Sequence, residues 1–239
     1  MAAGRVVAEG ADAVVGAGVE SISMVSMQGI NLKDITEEKL METYPALWMP
    51  MIETADIVAK RYNITRESQD EYSLQSQQRT AAAQDAGYYE NEIVPMDTKM
   101  KIIDKETGEE SIIDYTVDRD ECNRPQTTLE GLAGLPPVRG EEHFITAGNA
   151  SQLSDGAASV VVMDSKLAEQ KGLEPLGAFR GFAVAGCEPD EMGIGPVYAI
   201  PKLLEKNNLT IDDIDLWELN ESFDSKTLYF REKISIEND

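Results

Sequence analysis

Two short apolar runs set the limits on what this chain can fold into. One is Ala-Asp-Ala-Val-Val-Gly-Ala-Gly at residues 11–18, and the other is Ser-Val-Val-Val-Met at residues 159–163. Each is too short for a buried helix and rich in valine, the signature of a strand covered on both faces. Between them, residues 26–143 are dominated by helix, loop and charge. The whole stretch 26–143 therefore reads as an insertion into a sheet domain. Gly16 and Gly18 allow close backbone approach, but no third spaced glycine follows to open a helix, so there is no dinucleotide fingerprint.

Helical punctuation surrounds these runs. The small-residue segment before Gly10 reads as a helix stopped by that glycine. Ala55, Val58, Ala59 and Tyr62 recur at helical spacing. Thr65 has the character of an N-cap, with Glu67 in the first turn of a helix from Arg66 to about Ala86 that closes at Gly87. Lys101-Ile-Ile-Asp and Ile112-Ile-Asp-Tyr-Thr-Val flank a polar loop, which predicts a β-hairpin. After residue 163, Ser165 is placed to cap a short helix ending near Gly172. Residues 176–186 open a second sheet unit. A helix around Pro201–Lys206 then leads to a strand ending at Asn220. Strands alternating with helices imply an α/β architecture.

Composition narrows the function. A formal net charge of −23 argues against nucleic acid and anionic membrane surfaces as partners. Its bland reading is a solvated acidic surface. The only histidine is His143, which excludes clustered histidine metal sites. Cys122 and Cys187 form no disulfide framework or metal-ligand pair, which predicts a reducing, cytoplasmic setting. No apolar run approaches the ~18 residues needed to span a bilayer. The amino terminus lacks the apolar centre of a secretion signal, and Met1 reads as an internal methionine.

The most chemically suggestive stretch is residues 213–223, Asp-Ile-Asp-Leu-Trp-Glu-Leu-Asn-Glu-Ser-Phe. Its apolar alternation predicts a strand that delivers Asn220 at its end. An asparagine there can hold a water or donate to a developing oxyanion; the alternative is a cap on the next helix.

Taken with three further segments, this stretch closely resembles the thiolases, coenzyme A-dependent acyltransferases. Those segments are Ala13-Val-Val-Gly-Ala-Gly-Val-Glu-Ser21, residues 49–65 from Met-Pro-Met-Ile-Glu-Thr-Ala-Asp, and residues 145–158, Ile-Thr-Ala-Gly-Asn-Ala-Ser-Gln-Leu-Ser-Asp-Gly-Ala-Ala. The fourth segment itself begins at Met192-Gly-Ile-Gly-Pro196 and runs through Pro201 to Phe223. The resemblance covers nearly all of residues 1–223, and Ser151-Gln152 looks more like the degradative branch. It implies two similar α/β halves in a layered αβαβα fold, incomplete here, with an inserted loop domain covering coenzyme A. On this reading residues 1–25 and 144–174 form part of the first half, 26–143 the insertion, and 175–223 the start of the second half. Residues 224–239 are an unmatched tail without recognisable chemistry.

The resemblance also implies a chemistry: Claisen condensation or thiolysis through an acyl-cysteine, with coenzyme A as co-substrate and no bound cofactor or metal. Asn220 matches the asparagine that orients an oxyanion-hole water. Ser151 and Ala147 match positions that meet the pantetheine; the rival for Ser151 is an ordinary turn serine. Arg124 matches the arginine at the nucleotide end, where charge and stacking both serve; its rival is a surface arginine. Met51 and Met192 match acyl-pocket methionines, and core filling is the competing reading. Departures are Pro50 and Ile52 beside Met51, and Arg139 where the family has a phenylalanine. The family's nucleophilic cysteine, Gly-His-Pro histidine and Cys-x-Gly-Gly cysteine have no counterpart in these residues. Cys122 and Cys187 match non-catalytic positions, and His143 lies in a variable loop. The expectation is therefore a thiolase segment without turnover of its own, belonging to a homodimeric or homotetrameric parent. The alternative is a non-catalytic acyl-CoA-binding or structural partner protein.

Overall fold

A computed structural model describes residues 1–25, 31 and 33–236. The first residues of the expected insertion, 26–30, and the last three of the tail lie outside the described residues. In chain order the elements are α1 (Ala2–Glu9), β1 (Ala13–Glu20), α2 (Glu38–Thr43), α3 (Met51–Arg61), α4 (Arg66–Asp85), β2 (Met96–Ile103) and β3 (Glu110–Val117). There follow α5 (Leu129–Ala133), β4 (Gly156–Met163), α6 (Ser165–Gln170), α7 (Pro196–Asn207) and α8 (Asp224–Ile234). The chain is mixed α/β and divides into two compact units. One comprises Met1–Ile64 with Ala150–Asp239, and the other Thr65–Asn149.

In the first unit, β1 and β4 pair antiparallel, with Ala13 opposite Met163 and Glu20 opposite Gly156. The two valine-rich runs thus find each other across the intervening sequence. They are not buried, however: Val15 and Val160 are each 63% exposed. The expectation of strands covered on both faces is corrected, because among the described residues this sheet has only two strands. The same shortage explains two further corrections. Residues 176–186 and 214–220 form no strand, since an extended segment with no neighbour to bond has no ladder to join.

The core of this unit is helical. α3 buries Ala55, Val58 and Ala59, three of the four residues singled out by spacing, and the fourth, Tyr62, stacks on Tyr229 at 3.7 Å between ring centroids. α8 lies against α3, with Ser225 Oγ donating to the Ala55 carbonyl at 3.0 Å. Phe230 and Ile234 of α8 join Ile194 and Leu204 in the interior. Short helices stop where the chain turns left-handed: Gly10, at φ 71°, donates its N–H to the Arg5 carbonyl. α6 is capped by Asp164, whose carboxylate accepts from the Lys166 N–H. Ser165, expected as that cap, is the first helical residue instead.

The second unit is held by buried polar groups. Thr65 caps α4 by accepting from the Ser68 N–H. Arg66 donates to the Leu132 carbonyl at 2.6 Å and to Asp70 at 2.8 Å, closing α4 onto the α5 turn. Asn149, 1% exposed, accepts from the Thr146 N–H and donates to the Phe144 carbonyl. β2 and β3 form the expected hairpin, extended at both ends, with Met96 opposite Val117 and Ile103 opposite Glu110.

Candidate active site

Two hydrogen-bonded crossings organise the residues singled out in the first unit. The first joins the loop after residue 149 to the segment before α8. Ala150 bridges Phe223, and the Ser151 N–H donates to the Ser222 carbonyl at 3.0 Å. Ser151 and Asn220 are thereby held in neighbouring stretches, both exposed. The Ser151 hydroxyl donates to the Gln152 carbonyl at 3.2 Å. Asn220 caps no helix: the N-cap of α8 is Phe223, and no side chain caps it. The Ser151 loop is tied down further on, where Asp155 accepts from the Ser23 N–H at 2.9 Å and from the Ser21 and Ser23 hydroxyls. These bonds, the Ser23 hydroxyl first, hold the Asp155 carboxyl below its ordinary value.

The second crossing brings Met51 and Met192 together through Thr54. The Thr54 hydroxyl lies 2.7 Å from the Met51 carbonyl and 3.4 Å from that of Met192. Met51 is 50% exposed and Met192 39%, so neither fills this unit's core. The turn before Met192 is anchored by charge. Arg61 at the end of α3 pairs with Asp190 and, at 2.6 Å, with Glu191. Glu191 is buried and also accepts from the Tyr62 hydroxyl at 2.7 Å. Arg61 pulls the Asp190 carboxyl below its ordinary value, while burial and then Glu191 push the Tyr62 phenol up.

Arg124 and Ala147 lie in separate loops of the Thr65–Asn149 unit. The Arg124 backbone is fixed at both ends: its N–H donates to Gln77 Oε1 at 2.6 Å, and its carbonyl accepts from Thr127. Its exposed side chain makes no hydrogen bond or ion pair among the described residues. Ala147 is exposed in the turn between Thr146 and Asn149, where the Gly148 N–H donates to the Thr146 hydroxyl at 3.1 Å. No group of three or more His, Cys, Asp or Glu is placed to hold a metal ion among the described residues. None of the described helices is long and apolar enough to cross a membrane.

Sequence reasoning missed one residue altogether. Lys226, in the tail thought to carry no chemistry, is only 3% exposed. Its ammonium donates to the Thr54 hydroxyl at 2.9 Å and lies 5.1 Å from the Phe223 ring centroid. Gly193, at φ +118°, passes directly over it: a Cβ there would come within 2.2 Å of Lys226 Cδ. Burial lowers the Lys226 amine to about 8. A lysine three residues past an Asn-Glu-Ser-Phe stretch reads as surface in sequence; only the packing of α8 reveals it.

The Thiolase, N-terminal domain family matches residues 1–166, and the Thiolase, C-terminal domain family matches residues 173–239. The chain belongs to the thiolase family. The second match runs through residue 239, past Phe223, where the sequence reading found no resemblance. This thiolase segment is 43% identical over 221 residues to mouse (Mus musculus) "3-ketoacyl-CoA thiolase A, peroxisomal", an alignment covering 92% of the chain and 50% of that protein. It is 41% identical over 226 residues to "3-ketoacyl-CoA thiolase 1, peroxisomal" of Arabidopsis thaliana, covering 95% of the chain and 50% of that protein. The chain thus spans about half the length of these relatives. Among solved structures, the dimeric peroxisomal thiolase of Saccharomyces cerevisiae superposes with a TM-score of 0.85 at 33% identity, over 98% of this chain and 57% of that one. Human mitochondrial 3-ketoacyl-CoA thiolase in complex with CoA gives 0.79 at 36%, over 98% and 58%. The fold is therefore the thiolase α/β fold in part. The expectation of a cytoplasmic setting is corrected: the mouse and Arabidopsis relatives are both named as peroxisomal.

Proposed function

We propose that these residues belong to a 3-ketoacyl-CoA thiolase, which transfers acyl groups between coenzyme A and acetyl-CoA or 3-ketoacyl-CoA. The observation that carries the reading is the match of both thiolase domains, in order, across the chain. In this reading Asn220 orients the water that meets the enolate oxygen, where a preorganised donor is worth most because charge develops there. Ser151 and Ala147 meet the pantetheine, and Arg124 meets the nucleotide end, for which an unpaired exposed guanidinium is suited. Met51 and Met192 line the acyl pocket. Residues 26–143 serve as the coenzyme A-covering domain, between the two parts of the first half. The parent pairs with a second copy and works in the peroxisome, as the relatives' names support. The 239 residues have no thiolysis turnover of their own.

Calorimetric titration of the chain with coenzyme A tests the binding half. Saturable heat that Arg124→Ala and Ser151→Ala both weaken is the expected result; no heat from the unmodified chain would count against it. Acetoacetyl-CoA thiolysis above a heat-denatured control would contradict the statement on turnover. For the parent protein, Asn220→Ala is expected to lower kcat by about 10²–10³.

A further inference from the structure

Lys226 is the point at which the two crossings of the candidate site meet. It is 3% exposed, in the first turn of α8. On one side its ammonium donates to the Thr54 hydroxyl at 2.9 Å, and that hydroxyl lies 2.7 Å from the Met51 carbonyl and 3.4 Å from that of Met192. On the other side it lies 5.1 Å from the centroid of the Phe223 ring, within the range of a cation–π contact. Phe223 bridges Ala150, the neighbour of Ser151. One side chain thus touches both the Met51–Met192 pair and the stretch that holds Ser151 beside Asn220.

Such a placement is costly. A buried ammonium loses its hydration, and the Thr54 hydroxyl is its one hydrogen-bond acceptor among the described residues. A methionine would fill much of the same space without that cost. What the amine adds is direction. A hydroxyl has one hydrogen to give and lone pairs to accept with; because Nζ occupies the accepting side, the Thr54 hydrogen is turned towards the Met51 and Met192 carbonyls. The stem adds height. Gly193, at φ +118°, crosses directly over it: a Cβ there would come within 2.2 Å of Cδ and 2.7 Å of Nζ. Lys226 therefore supports the Met192 turn from beneath and fixes how far it stands from Met51.

We propose that Lys226 is a positioning residue that sets the separation of Met51 and Met192, and their register against the Ser151 loop, and thereby the acyl chain length accepted. The chain-length step rests on the function proposed above, in which the two methionines line the acyl pocket; the positioning step does not. An acetyl group is too short to depend on the width of such a pocket, whereas a medium chain runs along it. Loosening the Met192 turn therefore weakens medium-chain thioesters far more than acetyl-CoA.

Lys226→Met is the test. At neutral pH it removes the donor and the buried charge and keeps an unbranched stem, so the variant folds and is the more stable overall. A lysine that merely fills space would let the Met192 turn gain with the rest of the fold; a positioning lysine leaves a looser turn in a more stable protein. Amide hydrogen exchange separates the two. Ile194 is fully buried, and its N–H donates to the Glu191 carbonyl at 3.2 Å. That amide should exchange about tenfold faster in the variant, while the α3 amides of Val58 and Ala59 exchange no faster. Calorimetric titration of both chains with acetyl-CoA and decanoyl-CoA reads the specificity: the affinity for decanoyl-CoA relative to acetyl-CoA should fall about tenfold. Exchange at Ile194 that is unchanged or slower overturns the positioning role, whether or not the chain binds coenzyme A. Faster exchange with an unchanged affinity ratio overturns the link to chain length. Binding of neither thioester by the unmodified chain counts against the function proposed above and the chain-length step with it, and the exchange result then decides the positioning role by itself.

Discussion

The β1–β4 sheet and the α3–α8 helix pair invert what their sequences advertise. The sheet strands are among the most apolar segments of the chain, yet Val15, Val19, Val160 and Val161 stand in solvent, Val19 at 82% exposed. α8 reads as Asp-Ser-Lys-Thr at its start, and all four of those residues are buried. Burial follows from what lies across an element, and periodicity reports only which face could be covered. Among the described residues the sheet has two strands; α1 reaches one face at Gly16, and the face carrying Val15, Val19 and Val161 stands open. α8 has α3 beneath it, so even its polar residues are enclosed, and each must then find a partner. Ser225 finds the Ala55 carbonyl, and Lys226 finds Thr54.

The largest effect that sharpens the contrast is expected at the apolar end of α8. Phe230 is 3% exposed, and Phe230→Ala should cost about 3–5 kcal/mol, read as a drop in urea midpoint. A cost near that of an exposed site would mean that the α3–α8 interface is not the unit's core.

Next comes Lys226. Its folded value of about 8 lies below its ordinary 10.5. Below pH 8 both states carry the charge, and the full burial penalty weakens the fold. Between about 8 and 10.5 the unfolded chain holds a proton that the folded chain has lost, so stability rises with pH. The rise amounts to about 3 kcal/mol from a shift of this size. Cys187, raised by burial, works in the opposite direction above its own ordinary value. The difference between wild type and Lys226→Met therefore isolates the lysine. The variant should be the more stable below pH 8, with the advantage vanishing towards 10.5. A constant difference across that range would break the argument.

Much of this was legible from local chemistry. Gly10, Thr65 and the α3 face behaved as their residue types dictate, since caps and helix faces are decided within a few residues. The candidate residues Met51 and Met192 were named by resemblance, but their joint anchoring through Thr54 was not visible. Nor was the pairing of Arg61 with Asp190 and Glu191, which lie about 130 positions away. Such contacts exist only once α3 and the Pro189–Glu191 turn have met. The strands expected at 176–186 and 214–220 failed for the complementary reason: alternation marks a segment fit for a ladder and says nothing about whether a neighbour is present.

A smaller effect probes the charged anchor. Arg61 is 40% exposed on its side chain, while Glu191 is 9%. The pair with Asp190 is partly screened and worth little by itself. Arg61→Met instead leaves Glu191 enclosed with the Tyr62 hydroxyl as its remaining donor. The expected loss is about 1–2 kcal/mol. Arg61→Met combined with Glu191→Gln should recover part of it, because the buried charge is then gone. Thermal melts of the two single variants and the double variant give the coupling directly; strict additivity would show that the pair does not hold the turn.

The smallest effect is the one that would most directly break the comparison. Val161 of β4 lies opposite Val15 of β1 and is 62% exposed. Threonine keeps the β-branch that suits an extended strand and replaces one methyl with a hydroxyl that solvent can satisfy. Val161→Thr should therefore shift stability by no more than about 0.5 kcal/mol, against several for a buried position. If it costs as much as a core substitution, the sheet is covered in solution, either by a second copy or by packing within the chain. Repeating the melt across a concentration series separates the two cases, since stabilisation by a second copy grows with protein concentration and intrachain packing does not.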